Sequence, residues 1–189
     1  MSKDKNNDKK ELFESMPIPK ALATLAVPTI ISQMISVIYN MVDAFFIGRT
    51  GNSYMMAATT LTLTVMLLCI SFANLFGIGG GSLIARLMGE HHTEEAKSVS
   101  AFSVYGAACI AIIYSILIGI FMDPVLNFLG ASNKTIGFAR QYATYVVVIG
   151  CVFQTLSMAL AFLLRNTGYS GKASIGLSGG GILNMILDP

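Results

Sequence analysis

The chain has 189 residues, of which 54% are hydrophobic and only 12% charged, with no Trp and a formal net charge of +2. That balance excludes an ordinary soluble domain of this length and points to a membrane protein. It implies no nucleic-acid partner, and the sequence holds no nucleophile beside a base, no metal constellation and no nucleotide loop that would argue for an enzyme.

Residues 1–19 form a polar tail rich in Lys, Asp and Asn, too poor in apolar surface to fold alone and expected in the cytoplasm. The tail mixes acids with its bases, and the next apolar run is far longer than the 7 to 15 residues of a cleavable signal, so the first span is expected to stay in the protein. Residues 20–189 read as one all-α membrane unit. It is a helical bundle of four full transmembrane helices plus the start of a fifth, over about 20–47, 55–85, 99–122, 142–164 and 175–189.

The first run, Lys20 to Arg49, carries Asp43 within MVDAFFIG, and none of its neighbours Met41, Val42, Ala44, Phe45, Phe46 and Ile47 is a cation. An ionised side chain deep in lipid costs from about 3 to above 10 kcal/mol, so such residues face a cavity or change protonation state. Function is the default reading for Asp43. Pro28, 15 residues earlier, removes one helical hydrogen bond and makes a hinge.

RTGNSY turns the chain into the second run, which exceeds the bilayer's hydrocarbon thickness and is expected to tilt or project. The polar stretch RLMGEHHTEEAKS ends it, and His91 and His92, adjacent there, read as a solvated face. Asp123 and Pro124 stop the third run. The connection after them holds an apolar patch, Val125 to Leu129, expected to lie along the membrane interface. RNTGYSGKAS closes the fourth run. The fifth, at about fifteen residues, is too short to cross by itself, so the sequence is expected to stop inside a transmembrane helix.

Cys69, Cys109 and Cys151 fall in separate runs without ligand spacing and read as small buried apolar residues. FGIGGGS and GLSGGGIL lack the continuation of a phosphate loop and read as points of close backbone approach or flexibility. The methionines Met41, Met55, Met56, Met66, Met158 and Met185 read as packing, or as the lining of an adaptable pocket.

With the N-terminus in the cytoplasm, nine basic residues lie inside and three outside, in accord with the positive-inside rule. The first and fifth helices then both run outward, and Asp43 and Asp188, the acids within predicted spans, share an outer-half depth. Tyr39 precedes Asp43 by four residues and Asn184 precedes Asp188 by four, which puts each companion on the face of its acid. If the two helices face one another, burial and mutual repulsion of the carboxylates favour uptake of a proton. The same carboxylate, amide and hydroxyl oxygens suit sodium, at Asp43, Asn184 and Asp188. No cofactor or resident metal is expected, the coupling ion being H+ or Na+. The bland alternative is that Asp43 and Asp188 snorkel to the outer headgroups or cap a helix.

Four segments in order, AVPTIISQMISVIYNMVDAFFIGRTG, FGIGGGSLIARLMGEHHTEEAKS, LLRNTGYSGKAS and NMILDP, resemble the N-terminal lobe of bacterial multidrug and toxic compound extrusion (MATE) transporters. The resemblance is closest to the MepA-like branch, whose first helix carries an acid. It implies a multi-pass protein of the plasma membrane that exports small organic cations or drugs by proton- or sodium-coupled antiport, with lobes that rock between two accesses. It further implies that Asp43 takes the coupling ion with Asn184 and Asp188 as fifth-helix partners, that Tyr39 lines the same cavity, and that the first helix bends near Pro28. The departure is length: a sixth helix and the C-terminal lobe, both required for transport, are missing from the chain. The alternative is therefore a truncated, non-transporting membrane fragment. A lipid-precursor flippase of the same superfamily is disfavoured, because such proteins need a more basic cavity and only acids appear inside these spans.

Overall fold

The computed structural model describes residues 16–49 and 51–187, without the side chains of 181 and 184–187. Its helices are α1 (Ile18–Arg49), α2 (Ser53–Asn74), α3 (Gly80–Gly89), α4 (Thr93–Ile120), α5 (Met122–Phe128), α6 (Ile136–Ala143), α7 (Gly150–Asn166) and α8 (Ser170–Leu187). A π-helical turn, Leu75–Gly79, joins α2 to α3, and a second, Thr144–Ile149, joins α6 to α7. Four helical stretches are long and apolar enough to cross a membrane: Ile18–Arg49, Ser53–Gly89, Thr93–Ile120 and Ile136–Asn166. This is the expected all-α membrane bundle with four membrane-length helices.

The second and fourth spans meet along stripes of small residues. In the second span the stripe is the buried set Ala58, Thr62, Val65, Cys69, Ala73, Gly77 and Gly81, followed by the larger Ile84 and Leu87; in the fourth it is Ala139, Ala143, Val147, Cys151, Thr155 and Ala159, with Ala161 and Leu163 also buried beyond it. Lipid tails are as apolar as leucine, so helices in a bilayer associate through close packing rather than hydrophobic burial, and small side chains permit that approach. Steps of four residues overshoot one α-helical turn by about 40°, which would carry the fourth-span stripe about 200° around its helix in five steps. The wider π turn takes up part of this drift and keeps the stripe facing its partner.

Glycines of FGIGGGS serve the same contact, as expected of them. A Cβ on Gly77 would lie 3.0 Å from the Ala159 Cα and 2.9 Å from the Phe162 ring, and a Cβ on Gly80 would overlap the Ser103 hydroxyl of α4. The second cluster behaves differently: a Cβ on Gly176, Gly179 or Gly180 would meet nothing within 4 Å. Two long-range hydrogen bonds add to the packing. The buried Tyr114 hydroxyl on α4 donates to the Val65 carbonyl at 2.8 Å, and Ser115 donates to the Val148 carbonyl.

Two expectations are corrected, the role of the cysteines and the starts of two helices. Cys69 and Cys151 are not separate apolar fillers but a disulfide pair, with Cα atoms 6.0 Å apart at the centre of the two stripes, and Cys109 is exposed. The patch Val125 to Leu129 falls largely within the short helix α5. Pro124 sits in the first turn of α5, where its missing N–H breaks no helical bond, and the helix turns Met122 and the fully buried Leu126 into the core while Phe128 stays exposed. The third and fourth helices also begin earlier than the apolar runs, at Thr93 and Ile136, because amphipathic turns with charged residues precede the membrane-length stretch.

Candidate coupling-ion face and helix hinge

α1 is the span least enclosed by the rest of the chain. Its main neighbour is α8, it barely touches α2, and Ser32 is its one buried residue among those described. Its half-buried positions still follow a helical stripe, with Thr29, Ser32, Ser36, Tyr39 and Asp43 spaced three or four residues apart on one face. The opposite face shows Met34, Ile38, Met41 and Phe45 outward. Part of the polar content of this apolar helix thus lies on its more enclosed side, while Lys20, Thr24, Gln33 and Asn40 are exposed.

Asp43 is half-buried on that face, and Tyr39, half-buried one turn below, lies within electrostatic reach of its carboxylate. Below them a ladder of side chains is tied to backbone carbonyls: Thr29 to Leu25 at 3.0 Å, Ser32 to Thr29 at 3.0 Å, Ser36 to Ser32 at 3.0 Å and Asn40 to Ser36 at 2.8 Å. Such back-bonding satisfies hydroxyls inside a membrane and makes a helix easier to bend. Pro28 lies inside α1, which continues through it as one helix.

Asn184 lies in the last turns of α8, the helix packed beside α1, and Asp188 falls outside the described residues. The structure therefore brings together Tyr39 and Asp43, and brings the helix of Asn184 alongside theirs. At the C-terminal end of α1 an apolar cavity of about 360 Å³ lies between Ile47, Met55, Thr59, Phe138 and Tyr145. Neither Tyr39 nor Asp43 lines it. His91 takes a left-handed φ of 63° in the exposed turn after α3, and His92 pairs with Glu95 at 3.1 Å, as a solvated face would.

Sequence reasoning missed Arg165. It lies in the last turn of α7, and its Nη2 donates to the Ser32 hydroxyl at 3.1 Å, so a basic group reaches α1 from within the fourth span. The signal was present in LLRNTGYSG, where an arginine directly follows an unbroken apolar run.

The family model of MatE matches residues 28–189. Among curated relatives, the chain is 34% identical to the multidrug export protein MepA of Staphylococcus saprophyticus over 93% of its own length, and 34% identical to MepA of Staphylococcus aureus strain NCTC 8325 over 94%. MepA of Staphylococcus haemolyticus is 33% identical over 94%. The chain spans 39% of the length of each of these relatives. Among solved structures, a MOP superfamily transporter from Pyrococcus furiosus matches with a TM-score of 0.79 at 26% identity, over 96% of this chain and 39% of that one. For that transporter, a reversed polarity of the binding pocket has been taken to suggest a different function. The matched family and relatives are transporters, and with four membrane-length helices the chain is a multi-pass protein of the plasma membrane. By the extent of these matches, the chain belongs to the MatE family.

Proposed function

We propose that the chain is the N-terminal lobe of a multidrug exporter, which moves organic cations or drugs outward in exchange for a proton or sodium ion. The observation that carries this reading is Asp43: a carboxylate in a membrane-length helix, half-buried on the polar face with Tyr39 beside it. Names of the relatives, all multidrug export proteins, support the export part of it. The ion-coupling part rests on the chemistry of the acid.

Binding of a proton or sodium at Asp43, with Asn184 and Asp188 as the fifth-helix partners, neutralises a charge on the polar face. α1 then shifts about Pro28 and the bound organic cation loses its place. Coupling needs only that ion and drug prefer different conformations, since a ligand moves an equilibrium by no more than its differential affinity. A C-terminal lobe is part of this proposal, because two lobes are needed to bound a cavity that opens to alternate sides.

In the full-length exporter, Asp43→Asn should reduce dye export driven by an imposed proton or sodium gradient at least about a hundredfold while leaving insertion intact, in line with the cost of losing the group that binds the ion. Gradient-driven export by Asp43→Asn at the wild-type rate would remove the coupling assignment. Running the assay with each gradient alone identifies the ion.

A further inference from the structure

Arg165 is a cation that the transport reading leaves unused. At the C-terminal end of α7 it could complement the helix dipole while pointing into water. Instead its guanidinium lies 5.7 Å above the Phe162 ring, its Nη2 donates to Ser32 at 3.1 Å, and its Nε is buried with no hydrogen-bond partner among the described residues. A buried donor left in that state is costly, so this arrangement competes with one in which the guanidinium is hydrated.

The receiving residue is as unusual as the donor. Ser32 is fully buried, stands four residues beyond Pro28, and anchors the rung from which Ser36 and then Asn40 are tied upward toward Tyr39 and Asp43. Proline has no N–H, so the carbonyl of Thr24 lacks its usual helical donor, and α1 is least held by itself at this level. One turn further on, Arg165 holds it from outside. Asp43 is 11 residues above that hold, a rise of about 16 Å, so a small change of angle at Pro28 becomes a displacement of several ångströms at the acid.

We propose that Arg165 is a positioning residue: its bond to Ser32 pins α1 to the cytoplasmic end of α7 in this conformation, and breaking it releases α1 to bend at Pro28 and carry Asp43 to its other position. This rests on the reading of Asp43 as the coupling acid, but its test does not depend on export.

In the full-length exporter bearing Cys109→Ser, nitroxide labels on Met41→Cys and Phe153→Cys, both exposed, report the distance between the upper half of α1 and α7. Arg165→Gln and Ser32→Ala should each shift the ratio of two distance populations by about tenfold or more, as expected for losing one hydrogen bond to a charged group. The double variant should go no further than either single one, and Arg165→Lys, which keeps a donor, should stay near the wild-type distribution. Wild-type distances in both single variants, or effects that simply add in the double variant, would overturn the proposal. Shifted distances alongside normal export by Asp43→Asn would keep the pin and remove the coupling reading; unshifted distances alongside a dead Asp43→Asn would do the reverse.

Discussion

The first and fourth spans are both long apolar helices, yet 33% of the most apolar window of the fourth is buried within the chain and only 6% of that of the first. What separates them is residue size at helical spacing. The fourth span repeats small residues every four positions from Ala139 to Ala159, and these close against the matching stripe of the second span. α1 has only a short run of small residues, Thr29, Ser32 and Ser36, on its more enclosed face, and its outward face carries Met34, Val37, Ile38 and Met41. In lipid, apolar character places a helix in the membrane but does not choose its neighbours, whereas small residues and hydrogen bonds do. The seam is built to stay together, and α1 is built to be held at a few points.

Three substitutions test this contrast. The strongest is Gly77→Leu in the seam: the Ala159 backbone already stands at contact distance from where its Cβ would be, so overpacking should cost about 3 kcal/mol or more and show as lost monodisperse protein in a thermal-stability assay. A variant as stable as the wild type would mean that the spans separate easily. Next, Tyr114→Phe removes the donor by which the third span holds the Val65 carbonyl of the second and should lower stability by about 1–2 kcal/mol, read as a drop in melting temperature. Smallest is Val37→Ala on the outer face of α1, which should change the stability of this lobe by less than about 0.5 kcal/mol. A larger loss in the full-length protein than in the isolated lobe would show that a further part of the exporter covers this face.

Much of the architecture was legible in the chain. Apolar runs bounded by polar turns fall inside the four membrane-length helices, but miss ends such as Gly89 and starts such as Thr93 and Ile136, where polar or amphipathic turns extend a helix beyond its apolar stretch. The glycines of FGIGGGS read correctly as close approach because nothing else explains a membrane helix that carries them. The cysteine pair did not, since Cys69 and Cys151 are 82 residues apart and only the alignment of two small-residue stripes brings them together. At the candidate site, the shared face of Tyr39 and Asp43 follows from spacing alone. The hold of Arg165 on Ser32 does not, because it joins residues 133 apart whose proximity depends on how α1 leans against α7.

The two π-helical turns have a consequence for how this chain tolerates change in length. Each contains one residue more than an α-helical turn needs, at Leu75–Gly79 and at Thr144–Ile149. Deleting one residue there lets the helix heal with both flanks still in phase, whereas a deletion elsewhere in the span turns every following side chain by about 100°. The same surplus can travel along a helix as hydrogen bonds exchange partners one at a time, so each of these spans carries a built-in slack through which one half can rotate against the other without breaking.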